Sequence, residues 1–214
     1  MVFGKIEYLN LLPFHVYMKR FLRYSAYKTG MEYYKNVPSA INKKFALRRV
    51  DGAFISSVAA KGCRGAKLAI IANKEVQSVL VVPAASPKKD KASATSNKLA
   101  EVLDVNGEVL IGDKALEYYL KKKPFTDLAK LWYERYHLPF VFATLCFHKR
   151  NRLSATIEKN FGKYPTKIPR YILLRAAKQT NIPPQAILEY LTCISYTMDY
   201  KSKKSLAKFL AKAK

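Results

Sequence analysis

The side chains best suited to chemistry in this chain are neutral amides and hydroxyls that lie at four separate places in its N-terminal half. The set is Asn10, Ser56, Ser57, Ser78, Thr95 and Ser96. Amide and hydroxyl groups donate and accept hydrogen bonds without carrying charge. A cleft that gathered them would hold the carboxylate and hydroxyl groups of a small molecule and orient it for reaction.

Asn10 has two interpretations. The block Gly4–Leu9 predicts a strand that ends at Asn10, with Pro13 as its stop. An amide at the end of a buried strand can face a ligand cleft. An Asn in the same place can instead cap the helix that follows. Asn10 alone does not decide between ligand binding and capping.

The serine positions depend on the strands that carry them. Residues 49–55 predict a buried strand that ends at Ser56 and Ser57, and residues 76–85 predict another with Ser78 near its start. Strand, helix and strand alternate from the N-terminus, an order typical of an α/β protein with a mostly parallel sheet. Ligands bind such sheets at the carboxyl ends of the strands, which favours a site at the serine pair. A buried serine such as Ser78 can equally bond the neighbouring backbone.

Thr95 and Ser96 precede a stretch with helical spacing that begins near Lys98. The pair is predicted to cap that helix, because Ser and Thr hydroxyls accept hydrogen bonds from the first backbone N–H groups. The exposed N–H groups and the helix dipole also make this end of the helix a suitable place for a carboxylate.

Two apolar strands divide the chain into lobes. A polar, turn-forming segment follows the strand at 76–85 and predicts a crossing into a second lobe. The apolar stretch 138–147 predicts the crossing back. The expected organisation is the first part of lobe 1 at residues 1–82, lobe 2 at 83–139, and a return strand with helices packing mainly on lobe 1 at 140–214.

Length and composition favour a globular cytoplasmic protein. Half of the 214 residues are hydrophobic, which is enough for a sizeable core. No apolar run approaches the roughly 20 residues that cross a bilayer, and the N-terminus lacks the uncharged core of a secretion signal. The three cysteines and three histidines are scattered without metal-ligand spacing, so we expect free thiols and no metal site.

The formal net charge of +24 would attract nucleic acid, acidic membranes or small anions, and it does not distinguish between these partners. A lysine-rich proteome gives the same excess with no anionic partner.

Near the C-terminus, a helix at 169–179 and a second one opening at Pro183 have the spacing of a DNA-reading unit. The second helix offers few side chains for base edges. We therefore expect it to pack against the first lobe, and we expect no specific nucleic-acid partner.

Taken together, these motifs resemble the chorismate dehydratases of the futalosine route to menaquinone. The matching blocks follow the family's order from residue 4 to about residue 143. They are Gly4-x-x-x-Tyr8-Leu9-Asn10-x-x-Pro13, Asp51-x-x-x-x-Ser56-Ser57, Ser78-Val79-Leu80, Thr95-Ser96, Leu110-Ile111-Gly112-Asp113-x-Ala115-Leu116, Asp127-Leu128 to Trp132, and Leu138-Pro139-Phe140-Val141-Phe142-Ala143. A looser match continues at Tyr190-Leu191 and Tyr196-Thr197.

The resemblance implies a fold similar to type II periplasmic binding proteins, with two α/β lobes of mixed, mostly parallel sheets and a ligand cleft between them. It implies a cofactor-independent hydro-lyase that converts chorismate, a dianion, into 3-[(1-carboxyvinyl)oxy]benzoate and water. The family's functional asparagine matches Asn10 and a cleft serine matches Ser78, so these are the expected catalytic residues. The expected substrate-binding residues are Ser56, Ser57, Thr95 and Ser96.

Three other functions stay open at this stage. A non-catalytic small-anion binding protein would have the same fold, because fold does not fix function. A nucleic-acid-binding protein would use the basic surface. The later naphthoate-forming enzyme of the same pathway is similar in fold, although the Tyr8-Leu9-Asn10 and Thr95-Ser96 blocks favour the dehydratase.

Overall fold

The computed structural model describes residues 1–23, 32–60, 63, 66–162 and 166–214. The strands are β1 (Val2–Lys5), β2 (Glu32–Lys35), β3 (Gly52–Ser56), β4 (Leu68–Ala72), β5 (Val79–Val82), β6 (Glu108–Ile111), β7 (Thr126–Asp127), β8 (Phe140–Phe147) and β9 (Ile194–Thr197). The helices are α1 (Leu12–Arg23), α2 (Pro38–Ala46), α3 (Ala94–Leu103), α4 (Asp113–Leu120), α5 (Leu128–Tyr136), α6 (Arg152–Phe161), α7 (Arg170–Thr180), α8 (Pro184–Thr192) and α9 (Tyr200–Lys212).

The described strands form two sheets, one in each lobe, which confirms the predicted α/β architecture. The larger sheet has the order β2-β1-β3-β8-β4-β9, and the smaller sheet has the order β6-β5-β7. Parallel pairing among the described strands is limited to the two neighbours of β1. The remaining pairs are antiparallel, so the expectation of mostly parallel sheets is corrected to mixed sheets. The cause is the returning chain, which enters the larger sheet through β8 in the opposite direction to β3 and β4.

The first crossing between the lobes lies between β4 and β5 and is held by one buried carboxylate. Asp127 accepts hydrogen bonds from the backbone N–H of Val76 at 3.0 Å and of Gln77 at 2.7 Å. The same carboxylate caps α5 through two further backbone N–H groups. Since β5 pairs with β6 and β7, we propose that the first lobe ends before Val79, ahead of the predicted boundary at residue 82.

The core forms where near-continuous apolar strands are covered on both faces, as β3, β4, β5 and β8 are. On the second lobe Trp132 is fully buried, and its indole N–H donates to Ser205 Oγ of α9 at 3.0 Å. Helix α8 packs against β9 and the Leu9–Leu11 turn, as predicted for the second helix of the C-terminal pair. Pro184 occupies its first turn, where the missing N–H costs no helical hydrogen bond.

The N-terminal block departs from the predicted strand. Strand β1 ends at Lys5, and Leu9–Leu11 form a short 3-10 helix that leads directly into α1. Pro13 lies in the first turn of α1, a position that proline tolerates, so it does not stop the chain. Asn10 therefore sits on a tight helical turn rather than at a strand end.

The expectation of three free thiols is wrong for two of the cysteines. Cys63 and Cys146 form a disulfide, while Cys193 is free. Strand β8 inserts between β3 and β4, and this brings Cys146 next to the connection that carries Cys63. Their separation of 83 residues in the chain concealed that proximity.

Candidate active site

A cavity of about 60 Å³ lies between the lobes and gathers four of the six predicted site residues: Asn10, Ser56, Ser78 and Ser96. Apolar side chains from both lobes form much of its wall, among them Phe54, Ile111 and Phe142. A larger groove of about 680 Å³ lies on the other side of Tyr8, between α1 and α7. Its described lining contains none of the predicted residues, so the smaller cavity is the candidate site.

Ser56 is fixed at the end of β3 by an amide from α2. Its Oγ accepts a hydrogen bond from Asn42 Nδ2 at 2.8 Å. The backbone N–H of Ser56 donates to Asn42 Oδ1 at 3.1 Å, so the two residues are joined twice. The Ser56 hydroxyl keeps its own hydrogen for another acceptor.

Ser78 is fixed in the same way by a phenol. Tyr190 of α8 donates from its hydroxyl to Ser78 Oγ at 2.8 Å, and both residues are almost fully buried. Burial raises the pKa of Tyr190 well above its usual value, so this phenol keeps its proton. On the backbone, the Ser78 carbonyl accepts the N–H of Gly112 at 2.8 Å.

Ser96 lies in the first turn of α3, and its partner is the residue that caps this helix. Ser93 Oγ accepts the Ser96 N–H at 3.1 Å and donates to Ser96 Oγ at 2.8 Å. The cap is therefore Ser93, and the prediction that Thr95 and Ser96 cap the helix is wrong. The helix starts earlier than predicted because Ser93, three residues before Ser96, already satisfies the first-turn N–H.

Ser56, Ser78 and Ser96 thus share one hydrogen-bonding state. Each Oγ accepts a hydrogen bond from a protein group behind it, as given above. A hydroxyl has one hydrogen to donate, and none of the three donates it to a residue in the described ranges, so in each it is left for the cavity. Three hydroxyl donors among apolar walls suit the oxygens of an anion, because hydrogen bonds are stronger where water is excluded.

Asn10 supplies a different group to the same space. Its side-chain Oδ1 is buried and has no hydrogen-bond partner within the described parts of the chain. The oxygen therefore does not accept from a helical N–H, which disfavours the capping interpretation. The backbone carbonyl of Asn10 accepts the Tyr196 hydroxyl at 2.6 Å. A buried amide oxygen without a partner is costly and commonly marks a place for a ligand or water.

Ser57 and Thr95 lie next to the cavity, but neither is among its described lining residues. The Ser57 hydroxyl donates to the backbone carbonyl of Val141 at 2.6 Å. Thr95 Oγ1 accepts the backbone N–H of Val58 at 3.4 Å, a contact from the second lobe to the first. Their predicted contact with substrate stays a prediction.

Tyr8 and Gly112 close the cavity where the lobes meet. Gly112 has a φ of +65°, and a Cβ added to it would lie 2.9 Å from the Tyr8 ring, so both the backbone and the space favour glycine. The adjacent carboxylate, Asp113, accepts the backbone N–H of Leu9 at 3.0 Å across the lobes. Burial, with the charges of Asp90 and Asp113, raises the pKa of Tyr8 to about 12.

The described lining includes no Asp, Glu, His, Lys or Arg, and Tyr8 stays protonated at neutral pH. In the described ranges, no three His, Cys, Asp or Glu side chains come together as a metal-binding group. The arrangement can therefore orient an anion and stabilise charge on it, but none of the described lining side chains is a base near neutral pH.

Sequence reasoning missed the residues that hold these groups in place. Ser93 had a usable signal, since its spacing from Ser96 is that of a helix cap. Asn42 and the two C-terminal tyrosines had none that pointed to the site, because they meet it only through the tertiary fold. The Tyr190 and Tyr196 blocks did appear in the looser part of the family resemblance.

Solved structures define the class of fold. The chain superposes on protein AF1704 from Archaeoglobus fulgidus with a TM-score of 0.63, at 13% identity over 99% of this chain and 96% of that one. It superposes on the periplasmic aliphatic sulphonate binding protein SsuA from Escherichia coli with a TM-score of 0.61, at 12% identity over 100% and 90% of the two chains. The protein has a periplasmic-binding-protein-like fold with its candidate site between the lobes.

Sequence comparison defines the family. The model of a menaquinone biosynthesis family matches residues 81–214. The chain is 44% identical to the chorismate dehydratase of Campylobacter jejuni subsp. jejuni serotype O:23/36 (strain 81-176), over 100% of this chain and 98% of that protein. The chain therefore belongs to the chorismate dehydratase family of menaquinone biosynthesis. Within the described residues, no helix is long and apolar enough to span a membrane.

Proposed function

We propose that the protein is a chorismate dehydratase that converts chorismate into 3-[(1-carboxyvinyl)oxy]benzoate and water. The observation that carries the proposal is the set of three cavity hydroxyls, Ser56, Ser78 and Ser96, each accepting from the protein and free to donate to an anion. The 44% identity to the dehydratase of Campylobacter jejuni supports the choice of substrate. The alternative is a protein on the same fold that binds a small anion without changing it.

The proposed binding mode assigns the hydroxyls to the two carboxylates of chorismate. Ser56 and Ser78 approach from the first-lobe side, and Ser96 approaches from the start of α3, where the helix dipole favours negative charge. Apolar residues such as Phe54 and Phe142 cover the ring. Ser57 and Thr95, whose hydroxyl oxygens already contact backbone groups, are proposed to shape the wall and to support lobe closure.

The reaction is an elimination that forms an aromatic ring. The proton on ring carbon 3 is removed, its electron pair forms the second bond between carbons 3 and 4, and the bond from carbon 4 to its hydroxyl breaks. The group that accepted the carbon 3 proton passes it to the departing hydroxide, which leaves as water. Carbon 3 is vinylogous to the ring carboxylate, so negative charge spreads into that carboxylate as the proton departs. Fixed hydroxyl donors on the carboxylate stabilise this charge without reorganising, and they therefore lower the barrier.

Asn10 is proposed to bond the leaving hydroxyl or the ether side chain of chorismate. Its buried Oδ1 lacks a partner among the described residues, and it can accept the hydroxyl hydrogen of the substrate. The described lining side chains provide no base near neutral pH, so we assign the proton to a carboxylate of the substrate itself. The proposed enzyme is then a hydro-lyase of the futalosine pathway that works in the cytoplasm without a cofactor.

Substrate entry requires the lobes to separate. The cavity of about 60 Å³ is smaller than the roughly 300 to 1,000 Å³ of typical ligand sites. Hydrogen bonds such as Ser39 N–H to the Ala92 carbonyl, at 3.0 Å, and Leu9 N–H to Asp113 join the two lobes in this closed form. Hinge opening would expose the serines, and closure around the substrate would exclude water.

Incubation of the purified protein with chorismate, followed by chromatography and mass spectrometry, tests the proposal. The expected result is a catalytic yield of an aromatic product lighter than chorismate by one water. Stoichiometric binding of chorismate with no product would instead support the anion-binding alternative. If the protein neither binds nor converts chorismate, chorismate is excluded as its ligand.

A further inference from the structure

We propose that Tyr190 and Tyr196 are positioning residues of the reaction, acting through Ser78 and Asn10 respectively. The inference rests on the proposed function, because it assigns roles within the same site. Both tyrosines lie in the C-terminal segment of α8 and β9, far along the chain from the residues that they hold. Neither tyrosine is among the described residues that line the cavity.

Tyr190 controls where the Ser78 hydrogen can point. The residue is only 1% exposed, so its hydroxyl has no solvent to donate to and gives its hydrogen to Ser78 Oγ. The lone pair of Ser78 that faces Tyr190 is thereby occupied. The Ser78 hydrogen must then be directed elsewhere, and the cavity is the space that Ser78 lines. Donation from Tyr190 also polarises the Ser78 hydroxyl and makes it a stronger donor.

Tyr196 fixes the turn that carries Asn10. Its hydroxyl donates to the Asn10 carbonyl at 2.6 Å, one of the shorter hydrogen bonds in the described chain. Its ring packs edge-on against Phe161, with 5.2 Å between the ring centroids, so the phenol is held in direction. The backbone of the Leu9–Leu11 turn is thereby tied to β9, and the Asn10 amide is held at the cavity.

A residue that acts through another has a kinetic signature that a general structural role lacks. Removing the Tyr190 hydroxyl frees Ser78 to rotate and weakens its donation to charge that develops in the transition state. We therefore expect Tyr190→Phe to lower kcat about tenfold with little change in KM. A tenfold loss corresponds to the contribution of about one hydrogen bond. In a Ser78→Ala background the same change has nothing left to act on, so it should have almost no further effect.

The test is a double-mutant cycle on chorismate turnover with wild type, Ser78→Ala, Tyr190→Phe and the double variant. Tyr17→Phe is the matched control, because Tyr17 Oη is buried without a partner among the described residues and lies outside the site. This control should keep wild-type kcat and KM. Thermal unfolding of every variant separates lost activity from lost folding. A second cycle with Asn10→Ala and Tyr196→Phe tests the other pair, and it decides the question if Tyr190→Phe does not fold.

Near-zero loss from the tyrosine change in the serine or asparagine background supports the proposal. If each tyrosine change lowers kcat by the same factor in the wild type and in the Ser78→Ala or Asn10→Ala variant, the proposal is overturned. Wild-type kcat in both single tyrosine variants also overturns it. Either result leaves the dehydratase function intact. Absence of turnover by the wild-type protein overturns both the proposed function and this inference.

Discussion

At the scale of single residues, the site depends on which lone pairs and hydrogens are already used. Ser56 and Ser57 are neighbours with the same side chain, yet only Ser56 lines the cavity. Ser56 is the last residue of β3, and Ser57 begins the short 3-10 helix Ser57–Ala59, so the chain turns between them and directs the two hydroxyls to different places. Ser57 accordingly bonds the Val141 carbonyl of the neighbouring strand.

Alanine substitution of the two serines should therefore give different results. Ser56→Ala removes a donor to a carboxylate, so we expect kcat/KM for chorismate to fall about tenfold or more. We expect only a small loss of thermal stability, because the bond from Asn42 Nδ2 is partly buried and the Ser56 N–H still donates to Asn42 Oδ1. Ser57→Ala removes the buried hydrogen bond from the Ser57 hydroxyl to the Val141 carbonyl, so we expect about 0.5 to 1.5 kcal/mol less free energy of unfolding and a smaller kinetic effect. Steady-state kinetics and urea unfolding of both variants are the measurements. The same loss of kcat/KM in both would show that our division of the pair is wrong.

At the scale of elements, helix α1 follows the Leu9–Leu11 turn and carries a partly buried histidine close to it. His15 Nε2 lies 2.7 Å from the Ile6 carbonyl and donates to it as the neutral ring. Burial lowers the pKa of His15 to about 4 from its usual 6.5. The stability of the connection between β1 and α1, which positions Asn10, therefore depends on the protonation state of the His15 ring.

The lowered pKa of His15 predicts that the free energy of unfolding decreases in acid. Because the folded-state pKa is lowered, His15 contributes stability that is present above pH 6.5 and is lost as the pH falls towards 4. The loss between pH 7 and pH 4 should reach at most about 3 kcal/mol, because the pKa of His15 is about 4 in the folded protein against 6.5 for the unperturbed ring. His15→Gln keeps a donor for the Ile6 carbonyl and removes the titration. Unfolding free energies at the two pH values should fall less in this variant, and an equal fall would contradict the assignment.

The elements themselves could be predicted where one local pattern decides them. The apolar strands β3, β5 and β8, and Pro184 at the start of α8, follow from hydrophobic runs and proline chemistry. The end of β1 could not be predicted, since the apolar pattern continues through Leu9 into a 3-10 turn. Likewise, the Tyr190 contact to Ser78 joins residues 112 apart, and only the packing of α8 brings them together.

At the scale of the whole molecule, the two lobes are closed over a cavity too small for the proposed substrate. Asp127 holds the Val76–Gln77 backbone at one crossing, which makes this segment a candidate hinge anchor. Contacts such as Thr95 to the Val58 N–H close the opposite side. The net charge of +24 supports the same picture, because a positive field draws a dianion towards the cleft.

Opening and closing should be visible in solution. We expect the ligand-free protein to sample an open form with a larger radius of gyration. We expect the aromatic product to shift the population towards a more compact form in which the lobes close around the product. Small-angle X-ray scattering with and without saturating product measures this change. An identical radius of gyration under both conditions, together with tight product binding, would contradict entry by lobe opening.

The most direct test of the central claim is chorismate turnover by the wild type beside Asn10→Asp and Asn10→Ala. Asn10 lies at the cavity with a buried side-chain oxygen that has no partner among the residues that the structure describes, and an aspartate there would place a negative charge next to a dianion. We predict rapid formation of 3-[(1-carboxyvinyl)oxy]benzoate by the wild type. In Asn10→Asp we predict a loss of kcat/KM on the order of a hundredfold or more, with the fold intact by circular dichroism. Wild-type turnover in both variants would contradict the account.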